Sequence, residues 1–421
     1  MLYVISCQLL VNLMKILLYT QYFPPETNAP ANRWGYFVNY LKEKGHEITV
    51  LTSYPNHPQR KIFEGYKNRW KTIENKENVK IIRTWTYISP SLKFFPRLLN
   101  YLSFSFSSYL NSLSLKNFDL VIASLPPISV GLIGLKIAKK RKIPLVLDLR
   151  DLWPEAAEET GYLKKNFLYR YTLRKAKNLY QRATVILVNS PGILENLVCF
   201  YGLSRDKVIY IPNGADLEFF EDNYNTSIID ERYSLKGKFV VLYTGILGLA
   251  QAPEIMLQTA DLMQENDQIV FLIVGSGPKE KELRDMLKKL NLKNVILTGQ
   301  RPREEMPLFV SRADVCLATY KNSPVFEKNI PSKIFDYMAS GKPTIINLEG
   351  EASEIILKAQ AGLVALPENS ESLKEAILKI YQNPILKTKM GQSALIYARQ
   401  YYDKKEISLR LEEVLTYVSK I

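Results

Sequence analysis

The chain has 421 residues, too many for one ordinary hydrophobic core, so two domains are expected. Its composition is globular, 47% hydrophobic and 23% charged, and a net charge of +14 points to a polyanionic partner or to a Lys-rich soluble surface. Three scattered cysteines, Cys7, Cys199 and Cys316, argue against a disulfide framework, and two histidines, His46 and His57, leave little for His-based acid–base chemistry or a His/Cys metal centre.

Residues 1–13, MLYVISCQLLVNL, are apolar but carry no basic start and no small-residue cleavage site, and Lys15 interrupts the run before it reaches spanning length. They are expected to be an extension ahead of a first strand, MKILLYT (14–20). A chain beginning at Met14 is therefore expected to fold and to keep its activity; soluble expression and an activity assay check this. Strand-length apolar runs follow at EITVLTS (47–53), FDLVIAS (118–124), IPLVLDL (143–149), TVILVNS (184–190) and KVIYIP (207–212). Runs this apolar are buried on both faces, as in parallel sheets flanked by helices. Between them, Pro96 to Leu115 keeps Asn100, Ser103, Ser107, Asn111 and Ser114 in one helical stripe. Leu98, Leu102, Phe106, Tyr109 and Leu113 form the remaining face, with Lys93 and Arg97 beside its start and KKRK (139–142) in the same domain. Such a face either packs on the sheet or lies on an anionic membrane surface.

Residues 219–237 are polar and irregular and read as a linker. The alternation restarts at KFVVLYTG (238–245), QIVFLIVG (268–275), KNVILTG (293–299), ADVCLAT (313–319) and KPTIIN (342–347). The expected fold class is α/β: two Rossmann-like doubly wound parallel sheets, 14–218 and 238–400, facing a cleft. A last helix, 401–421, is expected to pack back on the N-terminal domain.

Ligands bind such sheets at the carboxyl ends of strands, so the loops there carry the candidates. In TGILGLAQAPE (244–254), Gly245 and Gly248 let the backbone approach a ligand, or serve a tight turn alone. VGSGPKEKEL (274–283) offers Gly275 and Gly277, but Glu280 replaces the third glycine of a dinucleotide fingerprint, which argues against an NAD site. TGQRPREEM (298–306) supplies Arg301 and Arg303. In PSKIFDYMASGKP (331–343), Lys333 adds charge to a positive helix start and Asp336 shares a face with Ser332. A carboxylate there can accept both hydroxyls of a ribose diol; otherwise it faces solvent or pairs with Lys333.

IPNGADLEFF (211–220), VGSGP, GQRPREEMPLFVSRADVCLAT and PSKIFDYMASGKP together resemble family 4 of the GT-B glycosyltransferases, over nearly the whole chain from Met14. The first-strand region QYFPPETNAPANR (21–33) and DLRDLWPE (148–155) resemble the branch that builds O-antigen, capsule and colanic-acid-type polysaccharides, close to the fucosamine transferases. The resemblance implies retaining transfer from a nucleotide-sugar, by default a UDP-sugar, without metal or other cofactor. It implies a polyprenyl-diphosphate-linked saccharide acceptor, hence work on the cytoplasmic face of a membrane, and no nucleic acid. Asp336 takes the place of the second acid of the family's E-x7-E signature, which holds the donor ribose. The first acid's place falls on Lys328, with Glu327 one position off register, and Ile246 and Gln251 stand where the family has Arg and Lys. Lys333, Arg150 or Arg301 is then the candidate cation for the diphosphate. On the acceptor side, Glu26 and Asn28 are expected to touch the acceptor and Arg33 a phosphate. Asp151 would position or deprotonate the acceptor hydroxyl, unless it and Arg150 only form a local ion pair. Ser190 either faces the donor or simply caps a helix. A GT-B nucleotide-sugar 2-epimerase and a basic nucleic-acid-binding protein are the alternatives.

Overall fold

The computed structural model describes residues 13–421 except 92–93, 160, 162 and 221–223. Most of the expected N-terminal extension and the Lys93 flank lie outside the described residues. The N-terminal sheet comprises β1 (Lys15–Tyr19), β2 (Glu47–Ser53), β3 (Lys71–Lys76), β4 (Val79–Thr84), β5 (Leu120–Leu125), β6 (Leu145–Leu149), β7 (Val185–Val188) and β8 (Val208–Tyr210). Their order is β3-β4-β2-β1-β5-β6-β7-β8. All neighbours are parallel except β3 and β4, a hairpin edge absent from the expected strand set. Its strand KTIENK is half exposed, which an antiparallel edge tolerates. β5 and β6 are buried at every residue, as their unbroken apolar runs require.

The second sheet is wholly parallel, in the order β11-β10-β9-β12-β13-β14. Its strands are β9 (Phe239–Thr244), β10 (Ile269–Val274), β11 (Val295–Gly299), β12 (Val315–Ala318), β13 (Thr344–Ile346) and β14 (Gly362–Val364). The strand order of each sheet reverses once, between β1 and β5 and between β9 and β12. The loops after these four strands therefore face the crevice where such sheets bind ligands.

Residues 219–237, expected as an irregular linker, include the helix Ser227–Tyr233. Phe220, Ile229 and Leu235 sink into the C-terminal core, and Arg312 holds the segment through Asp230, Leu235 O and Lys238 O. The segment reads as polar because its three apolar anchors are far apart in sequence. The real crossings between domains are two adjacent strands of chain. Ala215 N–H donates to Tyr402 O (2.7 Å), and Lys404 N–H donates to Ala215 O (3.0 Å). Past that point the helix Lys404–Val418 lies on the N-terminal domain, where Ile407, Leu411 and Leu415 share a core with Trp34 and Phe37. His46 locks it there: its Nδ1 accepts Met14 N–H (3.1 Å), so Nε2 carries the proton toward Glu412 (3.0 Å).

Two helices of the N-terminal domain bear on function. α1 (Ala29–Glu43) starts at Asn28, whose Oδ1 caps Ala31 N–H (3.0 Å). α2 (Phe94–Ser112) is inverted relative to a normal surface helix. Its buried residues are Phe104, Ser105, Ser107, Ser108, Asn111 and Ser112. Ser108 Oγ bonds Tyr19 OH (2.6 Å), Ser107 Oγ donates to Trp85 O, and Asn100 links Gln21 to Tyr87 O (2.7 Å each). Ser107, Ser108 and Ser112 also bond back to carbonyls one turn earlier, so their burial costs little, whereas Ser105 Oγ is buried without a partner among the described residues. Of the apolar face, Leu102, Phe106 and Leu113 stay exposed, Leu98 is half-buried, and Tyr109 packs partly against the sheet core.

Candidate active site

The donor side is built by three strand-end loops. Gly245 (φ +127°) and Gly275 (φ +152°) take backbone conformations that favour glycine, and a Cβ on Gly275 would lie 1.8 Å from Gly245 O. A Cβ on Gly277 would meet Leu247 O at 2.5 Å. Gly275 and Gly277 are thus needed for loop-on-loop packing, and Gly275 also lines the cavity wall. Gly277 lies off the cavity that Gly245 and Gly275 line, and Gly248 lines a neighbouring one.

That cavity, about 250 Å³, is also lined by Arg301, Arg303, Ser332, Lys333 and Asp336, with Asn28, Asn32 and His57 opposite from the N-terminal domain. The helix Lys333–Ala339 places Lys333 and Asp336 one turn apart. Lys333 Nζ is buried, has no hydrogen-bond partner among the described residues and sits 3.5 Å from the Tyr243 ring centroid. Burial holds its pKa well below the ordinary lysine value. A Cβ on Gly245 would come within 3.2 Å of this amino group, so the glycine keeps room for it. Arg301 Nε is likewise buried without a partner, whereas Arg303 pairs with Asp216 (3.7 Å). Asp336 is half-buried on the cavity wall; burial raises its pKa, while Arg303 and Lys404 pull it back.

A second cavity of about 370 Å³ opens from the same cleft and shares Asn28, His57, Gln251, Tyr320 and Ser332 with the first. Arg150 and Asp151 line it, directly after β6. Asp151 Oδ1 accepts a hydrogen bond from Asn329 Nδ2 (3.0 Å) of the other domain, and burial raises its pKa against the pull of Arg150. Arg150 is buried with its Nε 3.7 Å from Asp148 Oδ2, an ion pair without a hydrogen bond, and burial lowers its pKa.

Three expected roles, those of Glu26, Arg33 and Glu327, are corrected, and of the two readings of Ser190 the helix cap is the one observed. Glu26 faces away from the cleft: Oε1 accepts Asn56 and His57 N–H (2.9 Å each) and Oε2 accepts Phe23 N–H (3.3 Å). Its carboxylate closes a loop and is absent from the cavity linings. Arg33 is not available to phosphate, because Asp148, Ile211 O, Pro212 O and Asn213 surround its guanidinium. Glu327 lies in a 3-10 turn outside the cavities, and its carbonyl sits 2.3 Å from where a Cβ on Gly350 would be. Ser190 caps Ile193 N–H (3.2 Å) and donates to Lys328 O, so it serves the helix and the domain contact.

Two cleft residues escaped the sequence reading. His57 lines both cavities, its Nδ1 unpartnered among the described residues, and burial holds its pKa at about 4, so it is neutral near pH 7. It follows the end of β2, and the strand-end rule would have found it. Asn329 gives no such signal; it is uncharged and sits beside Glu327 and Lys328.

The two halves of the chain match two glycosyltransferase family models: Glycosyltransferase Family 4 over residues 31–219 and Glycosyl transferases group 1 over 226–395. The chain belongs to glycosyltransferase family 4. It is 23% identical to WcaI of Escherichia coli K12, named as a colanic acid biosynthesis glycosyl transferase, over 94% of this chain and 98% of that protein. Among solved structures it resembles sucrose-phosphate synthase of Thermosynechococcus elongatus (TM-score 0.75, 17% identity, 96% and 99% coverage). It also resembles HepE of Anabaena in complex with UDP-glucose (TM-score 0.70, 17% identity, 96% and 100% coverage). Both likenesses are to the GT-B fold, and this family 4 enzyme has that fold: two parallel-sheet domains around a cleft.

Proposed function

We propose that this enzyme transfers a sugar, with retention, from a UDP-sugar to a polyprenyl-diphosphate-linked saccharide in cell-surface polysaccharide synthesis, at the inner face of the cell membrane. One observation carries the donor half: the carboxyl group of Asp336 and the buried amino group of Lys333, which has no hydrogen-bond partner among the described residues, share one cavity wall one helical turn apart. Asp336 would accept the ribose diol and Lys333 would take the diphosphate, with Arg301 beside it; the reading uses no metal ion. Lys333 thus does the work of the cations missing at Ile246 and Gln251. HepE was crystallised with UDP-glucose and WcaI is named for colanic acid synthesis, and both support the reading.

The acceptor hydroxyl would lie in the second cavity, oriented by Asp151. Asn329 already holds that carboxylate across the cleft. The hydroxyl oxygen attacks the anomeric carbon on the face from which the phosphate oxygen leaves, and the leaving phosphate takes the proton. The protein orients both substrates and stabilises the developing diphosphate charge. Family membership favours transfer over the epimerase and nucleic-acid readings.

Calorimetry with UDP and with uridine tests the donor assignment. Asp336→Ala is expected to weaken both ligands about tenfold to a hundredfold, the worth of a charged hydrogen bond. Lys333→Met is expected to weaken UDP by a similar factor and to leave uridine unchanged. Unchanged UDP affinity in either variant would refute that residue's role.

A further inference from the structure

The inverted helix α2 leaves an apolar stripe in water. Phe95, Leu99, Leu102, Phe106, Leu110 and Leu113 recur at helical spacing, and Phe95, Leu102 and Phe106 are 65%, 51% and 60% exposed. Spaced over 18 residues, the stripe is about 27 Å long. Asn100, Ser107 and Ser108 turn inward to hydrogen-bond partners, and the apolar stripe is left outside without a cover among the described residues.

The neighbouring helices have an equally unusual charge pattern. α3 (Ile128–Arg141) and the helix Phe167–Arg182 lie on the same side of the sheet as α2, and Phe104, Val130, Ile137, Ala176 and Leu179 share one core. Arg141 donates to Ser112 O at the end of α2 (2.6 Å), Lys136 stands 4.1 Å from the Tyr109 ring centroid, and Leu179 packs over Gly131. α2 carries one cation, α3 four and the third helix five. The three helices, of 19, 14 and 16 residues, contain no Asp or Glu. With 42 acids in 421 residues, about five would be expected there. Lys139, Lys140 and Lys142 are exposed at one end of the face, and Arg170, Arg174 and Lys175 along the third helix.

We infer that this face docks on an anionic bilayer, with the α2 stripe entering among the lipid headgroups and the flanking cations on the headgroup charge. An apolar stripe ringed by Lys and Arg is complementary to acidic lipid and to little else. A second copy of the chain would bring two strongly basic faces together, which like-charge repulsion opposes. No helix among the described residues is long and apolar enough to cross a membrane, and docking in the interface needs none.

The same helix ties the lipid to the reaction. On its inner side Pro96, Arg97, Asn100 and Tyr101 line a cavity of about 210 Å³, and Arg97 and Tyr101 also line the acceptor cavity. α2 therefore separates the proposed membrane surface from the acceptor site by about one helix diameter, roughly 10 Å. A saccharide tethered to lipid would enter the cleft without leaving the bilayer. This deepens the lipid-linked-acceptor reading and rests on it for its purpose, but lipid binding is measured without donor or acceptor, so either reading can fail alone.

Flotation of the full chain with vesicles of phosphatidylcholine, with and without phosphatidylglycerol, tests it. Binding is expected only with phosphatidylglycerol, and reduced by salt. Leu102→Ser with Phe106→Ser, and separately Lys139→Ala with Lys140→Ala and Lys142→Ala, should each lower binding roughly tenfold or more, with melting temperature and UDP affinity unchanged. Absence of binding to the anionic vesicles would overturn the inference. So would binding indifferent to both sets of substitutions, or a concentration-dependent dimer that the Leu102/Phe106 variant abolishes while vesicles are ignored.

Discussion

Replacing Asp148 by alanine is expected to destabilise the N-terminal domain by about 3–5 kcal/mol, the cost of removing one partner from a buried charge pair. Asp148 lies fully buried in β6, an interior strand of the sheet. Oδ1 accepts from Arg33 Nε (3.2 Å); Oδ2 accepts from Trp34 Nε1 and Ser124 Oγ, both at 2.8 Å, and Arg150 stands 3.7 Å away. Without the carboxylate, the buried Arg33 guanidinium loses its counter-charge, and Arg150 loses one of the two carboxylates that face it. Arg33 also holds Ile211 O and Pro212 O, so the loss loosens α1 from the segment leading to the domain crossing. A typical domain has only about 5–15 kcal/mol to lose, so much of the variant should be unfolded or insoluble. Urea unfolding of Asp148→Ala, Arg33→Met and the double variant measures the effect. The double variant should be less damaged than the sum of the singles; additivity within about 0.5 kcal/mol would show that the pair is not coupled.

Glu26→Ala should cost about 3 kcal/mol or more, because it strips the acceptor from three buried backbone N–H groups, each worth about 1–3 kcal/mol when left dry. The loop it closes carries His57 to the cleft, so activity should fall with stability. Glu26→Gln separates structure from chemistry. If Glu26 served the acceptor hydroxyl, glutamine would abolish transfer; in its observed place glutamine keeps an oxygen for Asn56 and His57, and most activity should survive. The pH dependence gives a second readout. Burial raises the carboxyl from 4.5 to about 7, so between those values the native state holds more protons than the unfolded chain. Stability is therefore lost as pH rises through that window, by up to about 3 kcal/mol. Glu26→Gln removes this slope. His57, lowered from 6.5 to about 4, contributes the opposite slope, stability lost as pH falls through that range, and keeps it in the variant. The variant's stability should thus climb more steeply than wild type from pH 4.5 to 6.5; parallel curves would refute the assignment.

The tandem doubly wound sheets were legible in the sequence because burial on both faces leaves an unbroken apolar run, a signal contained in five or six adjacent residues. The cleft positions of Lys333, Asp336, Arg150 and Asp151 were legible for a related reason: each directly follows a strand or opens the helix after it, and the carboxyl ends of parallel strands face the crevice. Three strands, β3, β4 and β14, were not: β3 is a half-exposed antiparallel edge without that run, β4 (VKIIRT) carries charges among its apolar residues, and β14 is only three residues long.

Tertiary structure alone decided what each charged or amphipathic element does with its polarity. Glu26 and Arg33 stand in the same first-strand loop and helix as the cleft residue Asn28, yet turn inward, because their partners at Asn56, Asp148 and Ile211 lie 30, 115 and 178 positions away. α2 shows the same limit most clearly. Periodicity divides it into a polar and an apolar face, but which face goes inside depends on whether the polar groups find partners there. Tyr19 OH, Trp85 O and Gln21 supply them, and the sheet accepts the serines while the leucines and phenylalanines stay outside. A local pattern fixes amphipathicity; only long-range hydrogen bonding sets its direction.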